Sequence, residues 1–236
     1  MTFSMDRYMT GQVIYWQKQK EKIKEPEKAN QLPFVTISRE YGCGGFKIAS
    51  KLAEIFNKEF KPDPEWAAYD KKILESLMAD TGLSEHLVHT LTEKARGKMT
   101  NMIQTTFSSF PPQVAIHKKL TATITMLALH GNVVIVGRGS NMITKNISNG
   151  FHVRLVAPIN CRAEKLSKEM SISKTEALKL IKEKTRQRDD YMKEFLKFDL
   201  TDPHNYSMTI NDGEFSVEQA ARLIIEGMKI KGLIEK

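Results

Sequence analysis

The residues best suited to chemistry in this chain form a glycine-rich turn after an apolar run. Residues 34–45 read Phe-Val-Thr-Ile-Ser-Arg-Glu-Tyr-Gly-Cys-Gly-Gly, and an amphipathic stretch from Phe46 to Phe56 follows them. A buried strand that passes through glycines into a helix brings backbone N–H groups and the positive helix end to one place, where phosphate can bind. Because of this arrangement, nucleotide phosphate is the first ligand we expect. The alternative is a turn that only packs tightly and binds no ligand.

The turn lacks the side chains of the common motif G-x-x-x-x-G-K-[ST], in which the lysine neutralises phosphates and the hydroxyl holds Mg²⁺. Alignment on Gly42–Gly44 puts Arg39 at the first glycine of that motif. Gly45 then stands at the lysine position and Phe46 at the hydroxyl position. Lys47 comes two residues too late, about 200° round a helix from Gly45, so we expect it to face solvent.

A second glycine-flanked arginine follows another apolar run. Gly137-Arg138-Gly139-Ser140 comes directly after Val133–Val136, which predicts a buried strand. Open α/β sheets bind ligands at the carboxyl ends of their strands, and a guanidinium there can bind phosphate in a bidentate manner. An arginine that caps the next helix or pairs with a carboxylate is the alternative. We favour the phosphate-binding role for Arg138.

A cluster of cations lies on one predicted helix. Lys182 and Arg186 share a face at i, i+4. Lys193 lies near that face, whereas Arg188 lies off it. Such a cluster can close over a nucleotide and stabilise a transferring phosphoryl group, and a solvated charged face is the alternative. Because the surrounding helices show no evident apolar seam, we expect the charge of a ligand to hold them closed.

The sequence gives less support for metal binding or for nucleophilic catalysis. His86, His89 and Glu93 fall at i, i+3 and i+7, so on a helix they would share one face as a metal triad, but a polar helix surface explains them better. Cys43 and Cys161 are the only cysteines, lie far apart and match no metal-ligand spacing. We therefore expect no protein-built metal site, no disulfide framework, and a reducing, cytoplasmic setting.

The elements that must position these residues alternate between strands and helices. Besides the run that begins at Phe34, the sequence predicts strands at Trp66–Tyr69, Val133–Val136, Val153–Ala157 and Tyr206–Ile210. Continuous apolar runs separated by helical patterns predict an α/β fold with a parallel sheet of about five strands. Capping-box patterns at Ser173 and Ser216 each begin a helix, and the first helix runs to about Phe195. Residues 5–24 predict a helix before this core.

Composition limits the classes of partner. The 236 residues are 41% hydrophobic, enough to bury one α/β core with a smaller inserted lobe. The net charge of +8 favours anionic partners. The lysines are scattered along helices without interleaved aromatic residues, so nucleic acid is not expected as a partner. No signal-peptide core is present and no run approaches the ~20 apolar residues that span a bilayer, so we expect no membrane partner.

Four segments together resemble the cytidylate kinase-like family, a branch of the nucleoside monophosphate kinases with a P-loop fold. They are VTISREYGCGG (35–45), YDKKI (69–73), VVIVGRG (133–139) and DPHNY (202–206) leading to Ile210-Asn211. The resemblance covers roughly residues 33–230. It implies a P-loop-type doubly wound parallel sheet in a kinase-like domain over 33–236, after an N-terminal helical extension over 1–32. It also implies a helical acceptor-binding lobe at about 70–130 and a helical lid at about 171–203.

The resemblance also assigns roles to single residues. Arg138 matches the arginine that reaches the acceptor monophosphate, and Asp70 matches a polar residue at the edge of the acceptor site. Arg186 and Arg188 match lid arginines. Gly42, Cys43, Gly44 and Gly45 match the phosphate-binding turn, and Phe46, which stands where family members usually carry an arginine, is the next candidate nucleotide-binding residue.

Two functional hypotheses follow, with a third behind them. The first is a kinase that transfers the γ-phosphoryl group of ATP, with Mg²⁺, to a nucleoside monophosphate or a similar phosphorylated small molecule. Arg39 is then a candidate substitute for the missing lysine, while Arg138, Arg186 and Arg188 close round the phosphates. The second is a nucleotide-binding regulator with little or no turnover, which the missing lysine favours. The third is a basic nucleic-acid binder.

Overall fold

The computed structural model describes residues 32–79, 115–196 and 199–235. The helix expected over 5–24, the middle of the lobe expected at 70–130, and His86, His89 and Glu93 lie outside these residues. The elements in chain order are β1 (Phe34–Arg39), α1 (Gly45–Phe60), β2 (Ala67–Tyr69), α2 (Lys71–Ala79), α3 (Ala115–His130), β3 (Val133–Val136), α4 (Ser140–Ile143), β4 (Gly150–Val156), α5 (Ile159–Met170), α6 (Lys174–Leu196), a 3₁₀ turn (Pro203–Asn205), β5 (Met208–Asn211) and α7 (Val217–Ile230).

The strands form one five-stranded, all-parallel sheet in the order β2-β3-β1-β4-β5. This confirms the predicted fold class and strand number. From β1 the chain goes out to β2, returns to β3, and then crosses to β4 on the other side of β1. The direction of winding therefore reverses beside β1. In open sheets, ligands bind outside the carboxyl ends of the strands at such a reversal.

Helices cover both faces of the sheet. Phe34 of β1 packs in one buried cluster with side chains of α2 and α3. The next residue, Val35, and Ile37 face the other way and pack with α1 and α7. Because both faces of each central strand are buried, the strands read as continuous apolar runs, and this is why they are visible in the sequence.

Strands β2, β4 and β5 differ in their bounds from the predicted ones, and the largest shifts are at the starts of β4 and β5. β4 begins at Gly150, before the polar residue His152 that interrupts the apolar run. The ring of His152 is satisfied inside the sheet, since its Nδ1 lies 2.8 Å from Oγ1 of Thr36. β5 begins at Met208, after Tyr206, because the 3₁₀ turn at residues 203–205 delays the start of the strand.

The expectation that the helices near residues 171–203 lack an apolar seam is wrong. Ala163 and Leu166 of α5 pack in a small buried cluster with Ala177 and Ile181 of α6. Two of these four residues are alanine, and each helix contributes only two fully buried side chains, so the seam is not evident from the sequence. α5 and α6 are thus joined by packing as well as by charge.

Both predicted capping boxes are present. The N–H of Glu176 donates to Oγ of Ser173, and the Glu176 carboxylate accepts from the Ser173 N–H. Ser216 and Gln219 make the reciprocal pair that begins α7. Among the described helices, none has the length and apolar character needed to cross a bilayer.

Candidate functional site

The glycine turn lies at the carboxyl end of β1 and leads directly into α1. Gly42 has a φ of 95°, and a β-carbon on it would lie 2.9 Å from Cβ of Arg162 on α5. Backbone conformation and the close approach of α5 therefore both require glycine. Gly44 precedes the first residue of α1, so its N–H lies at the positive end of that helix.

Arg39 crosses the turn and joins the two glycine motifs. A β-carbon on Gly137 would lie 1.7 Å from Nη1 of Arg39. A β-carbon on Gly45 would lie 3.3 Å from Cγ and Cδ of the same side chain. Arg39 therefore runs from the first turn of α1 to the loop after β3. Gly137 leaves space for the guanidinium, a role that the sequence analysis missed.

The surroundings of Arg39 make the positive charge of its guanidinium less favourable than it would be in water. Burial, and next the charge of Arg188, lower its pKa to about 10, while Asp70 acts in the opposite direction. Arg39 still carries its charge at neutral pH. A partly desolvated cation beside a second cation gains more from a bound anion than a fully hydrated one does.

The predicted lid arginines differ in position. Nη1 of Arg188 donates a hydrogen bond to the backbone carbonyl of Arg39, and burial lowers the pKa of Arg188. Arg186 is exposed, and no hydrogen bond or ion pair joins it to another residue of the described part of the chain. Arg188, which helical geometry placed off the cationic face, is thus the residue that α6 brings to the turn. Lys182 is exposed like Arg186.

Arg138 and Asp70 lie on the other side of the turn. Nη2 of Arg138 is 3.2 Å from Oε1 of Glu75 on α2, so the carboxylate pairing considered for Arg138 is what the structure contains. The pair is half-exposed, and such pairs are worth about 0–1 kcal/mol, so a phosphate can replace Glu75. Oδ1 of Asp70 accepts from the N–H of Ile73 at 3.1 Å and caps α2.

The N–H groups of the turn already have partners inside the protein. Those of Cys43, Gly44 and Gly45 donate to the Glu40 carbonyl (3.2 Å), Oδ2 of Asp212 (2.9 Å) and the Cys43 carbonyl (2.9 Å). A phosphate that binds through Gly44 therefore competes with a carboxylate. Phosphate binding by Gly42–Gly45 stays a prediction, and Asp212 is the internal group that a phosphate would have to displace from the Gly44 N–H.

Asp212 is an internal anion that the sequence analysis did not single out. It follows β5, is only 3% exposed, and its Oδ2 accepts from Nζ of Lys165 at 3.0 Å as well as from Gly44. A carboxylate at a helix N-terminus is electrostatically favourable. Its position after a strand end was the one available signal, and that signal does not reveal which turn the side chain reaches.

A second network holds the turn against α5. Oε2 of Glu40 accepts from the N–H of Ala157 at 3.0 Å and lies 3.4 Å from Nε of Arg162. Nη1 of Arg162 donates to the carbonyl of Tyr41 at 3.1 Å. The turn is therefore preorganised by the side chain of Glu40, directly after β1, and by that of Arg162 on α5, which limits how far it can move when a ligand arrives.

Two other turn residues, Cys43 and Phe46, have partly buried side chains that pack against the core. Burial raises the pKa of Cys43 to about 12, so its thiol is protonated at neutral pH. Phe46 packs against both buried clusters in place of a hydroxyl. Lys47 is exposed, as expected, and it pairs with Glu169. Within the described residues, no group of three or more His, Cys, Asp or Glu side chains could hold a metal ion.

Comparison with known proteins identifies the family. A model of the cytidylate kinase-like family matches residues 34–214. The chain belongs to that family. The match includes β1 through β5 and therefore all the residues that build the turn and its surroundings.

Two curated relatives are cytidylate kinases. That of Methanocaldococcus jannaschii is 32% identical over 124 residues, which are 50% of this chain and 68% of the relative. That of Pyrococcus horikoshii is 35% identical over 91 residues, which are 39% of this chain and 46% of the relative. A solved structure of an uncharacterized protein from Eubacterium ventriosum has a TM-score of 0.65 at 22% identity and covers 85% of this chain and 99% of its own. This last likeness shows the fold alone.

Proposed function

We propose that this member of the cytidylate kinase-like family is a nucleotide kinase that transfers the γ-phosphoryl group of ATP to a nucleoside monophosphate or a related small acceptor. The observation that carries the proposal is the convergence of Arg39, Arg188 and Arg138 on the glycine turn at the reversal of the sheet. Phosphoryl transfer is catalysed mainly by positioning and charge stabilisation, which guanidinium groups supply.

Each arginine has its own task in this proposal. Arg39 lies across the turn in place of the missing lysine and neutralises the phosphates of the donor. Arg188 approaches from α6 and stabilises charge on the transferring group, and Arg138 exchanges Glu75 for the acceptor phosphate. A Mg²⁺ ion would be held here by the substrate phosphates and water, and it would supply further neutralisation of phosphate charge. Asp70, which caps α2 near Arg39, marks the acceptor edge.

A coupled assay of ADP release against a panel of nucleoside monophosphates tests the proposal. Arg39→Met should lower kcat by roughly 10³-fold, the low end of what a guanidinium contributes to phosphoryl transfer. Lys47→Met is the matched control, because Lys47 lies next to the turn but is exposed and paired with Glu169; it should leave turnover unchanged. Equal turnover in the wild type and Arg39→Met would rule out this mechanism.

A nucleotide-binding regulator with little turnover is the second candidate. The bond between the Gly44 N–H and Asp212 favours it, because the turn is stable with an internal anion in place. Calorimetry separates the two functions. A regulator binds nucleotide with no ADP release for any acceptor, whereas a kinase releases ADP with at least one.

A further inference from the structure

One arginine lies in the middle of a mostly apolar strand. Arg154 belongs to β4, is flanked by apolar residues in sequence, and is only 9% exposed. In the register of the sheet it lies beside Ser38 of β1. Side chains alternate along a strand, so Arg154 shares a face with His152, which contacts Phe34 on the side covered by α2 and α3. The predicted acceptor lobe begins and ends with these two helices.

Tyr206 holds Arg154 in place without cancelling its charge. The tyrosine hydroxyl lies 3.4 Å from Nη1 of Arg154, and the guanidinium carbon lies 5.5 Å from the ring centroid. The same hydroxyl lies 3.0 Å from the carbonyl oxygen of Leu200 and 3.4 Å from Oγ of Ser38. These contacts fix the guanidinium over the carboxyl end of β1.

The charge of Arg154 is not neutralised by the described residues. No carboxylate among them lies within ion-pair distance of its guanidinium. The charge of Arg154 acts on a second cation, Arg188. Burial lowers the pKa of Arg188, the nearby Asp189 acts in the opposite direction, and repulsion from Arg154 lowers the pKa further. Two partly desolvated guanidinium groups that repel each other are costly unless an anion is bound between or beside them.

Arg154 and Arg138 lie on opposite sides of β1. Arg138 follows β3 and Arg154 is part of β4, and both strands pair with β1. Neighbouring strands are about 4.8 Å apart, so the two backbones are roughly 10 Å apart. Two arginine side chains can close that gap on one phosphate. We propose that Arg154 is a further substrate-binding residue that holds the acceptor phosphate from the side opposite Arg138.

This inference rests on the proposed kinase function and narrows its substrate class. An acceptor held by two guanidinium groups carries a phosphate dianion of its own, as a nucleoside monophosphate does. A neutral alcohol would leave Arg154 and Arg188 in mutual repulsion. The assigned role is binding of the acceptor, so it predicts an effect on acceptor affinity that is separate from donor affinity.

The test compares Arg154→Gln with Arg222→Gln, which removes an exposed guanidinium paired with Glu59 and Glu218. Calorimetry measures the affinities of ATP and of cytidine, uridine and adenosine 5′-monophosphates, and thermal unfolding is followed without ligand. Arg154→Gln should weaken monophosphate binding about tenfold to a hundredfold, leave ATP binding nearly unchanged and not lower the unfolding temperature. Arg222→Gln should change neither affinity.

Tyr206→Phe is a milder second variant that keeps the ring and should weaken monophosphate binding several-fold. Equal losses of ATP and monophosphate affinity, or a lower unfolding temperature with unchanged affinities, would mean that Arg154 only supports the fold. A wild-type protein that binds none of the three monophosphates also overturns the proposal. A protein that binds a monophosphate through Arg154 yet releases no ADP would refute the kinase function alone.

Discussion

Gly137 matters for the space that it leaves to Arg39. Alanine there would put a β-carbon 1.7 Å from Nη1 of Arg39 on a backbone with a φ of +80°. We expect Gly137→Ala to displace the guanidinium, to lower the free energy of unfolding by about 1–2 kcal/mol, and to weaken ATP binding about tenfold. Urea unfolding and calorimetry measure the two effects.

Gly232→Ala is the matched control for this change. Gly232 has a φ of +71°, but no atom lies within 4 Å of a β-carbon added to it. It therefore imposes similar backbone strain without the collision. A loss of ATP affinity of the same size in both variants would show that Arg39 does not serve the donor phosphates.

Asp212 should compete with phosphate at the turn. Asp212→Asn keeps an oxygen that can accept from the Gly44 N–H but removes a buried negative charge. We expect ATP affinity to rise on the order of tenfold, together with a loss of stability because Lys165 loses its ion-pair partner. Glu169→Gln removes an exposed carboxylate and should leave ATP affinity unchanged. If Asp212→Asn also leaves it unchanged, the phosphates lie away from Gly44.

Arg138 should serve the acceptor phosphate and not the donor. Its present partner, Glu75, is half-exposed and easily replaced. Arg138→Ala should weaken monophosphate binding about tenfold to a hundredfold and leave ATP binding nearly intact. Arg138→Lys should restore only part of the loss, since an ammonium lacks the planar fork. An equal fall in ATP affinity would point to a single nucleotide site.

At the scale of the elements, α6 should divide into an anchored and a ligand-dependent part. Ile181 lies in the seam with α5, whereas Arg188 reaches the turn through its side chain. Hydrogen exchange should show residues 175–182 protected with or without ATP and acceptor, and residues 184–190 protected mainly with both. Uniform protection along α6 in both states would argue against a lid.

Loss of the apolar contact between α5 and α6 should by itself lower the stability of the fold. Ile181→Ala should lower the free energy of unfolding by about 2–4 kcal/mol, as measured by urea titration. Leu223→Ala on α7 is the control, because Leu223 is 37% exposed and should cost less than half as much.

Strands that are buried on both faces could be predicted from the sequence, whereas the apolar seam between α5 and α6 could not. The strand at Val133 is a short run without a polar residue, and the strand at Phe34 alternates apolar residues with the small polar residues Thr36 and Ser38, so pattern alone finds both. Ala163 and Ala177 are buried through the contact of two helices, and an alanine carries no sign of which partner will cover it. In the same way, the turn at Gly42–Gly45 is visible in the chain, but its contact with Asp212 depends on strand order.

For the whole molecule, stability should decrease on acidification because His152 is held neutral. Burial lowers the pKa of its ring from 6.5 to about 4, and Lys231 adds to the effect. The unfolded chain therefore binds the proton first, so stability is full above pH 6.5 and is lost as the pH falls toward 4. The loss is of the order of 2–3 kcal/mol.

Urea unfolding at several pH values between 4 and 7 measures this loss. His152→Gln should flatten the dependence on pH, whatever its effect on stability at pH 7. His204→Gln is the control, because His204 is 91% exposed, and it should keep the wild-type slope. A slope that survives in His152→Gln would assign the acid sensitivity to other groups.

The path of Arg39 also constrains how this protein could be redesigned or could drift in evolution. A β-carbon at position 45 would lie 3.3 Å from the Arg39 stem, so Gly45→Lys, which restores the standard lysine, requires the stem to move by a few tenths of an ångström. It would also bring a second cation beside Arg39. A chain that regains the lysine therefore gains most if Arg39 is replaced in the same step.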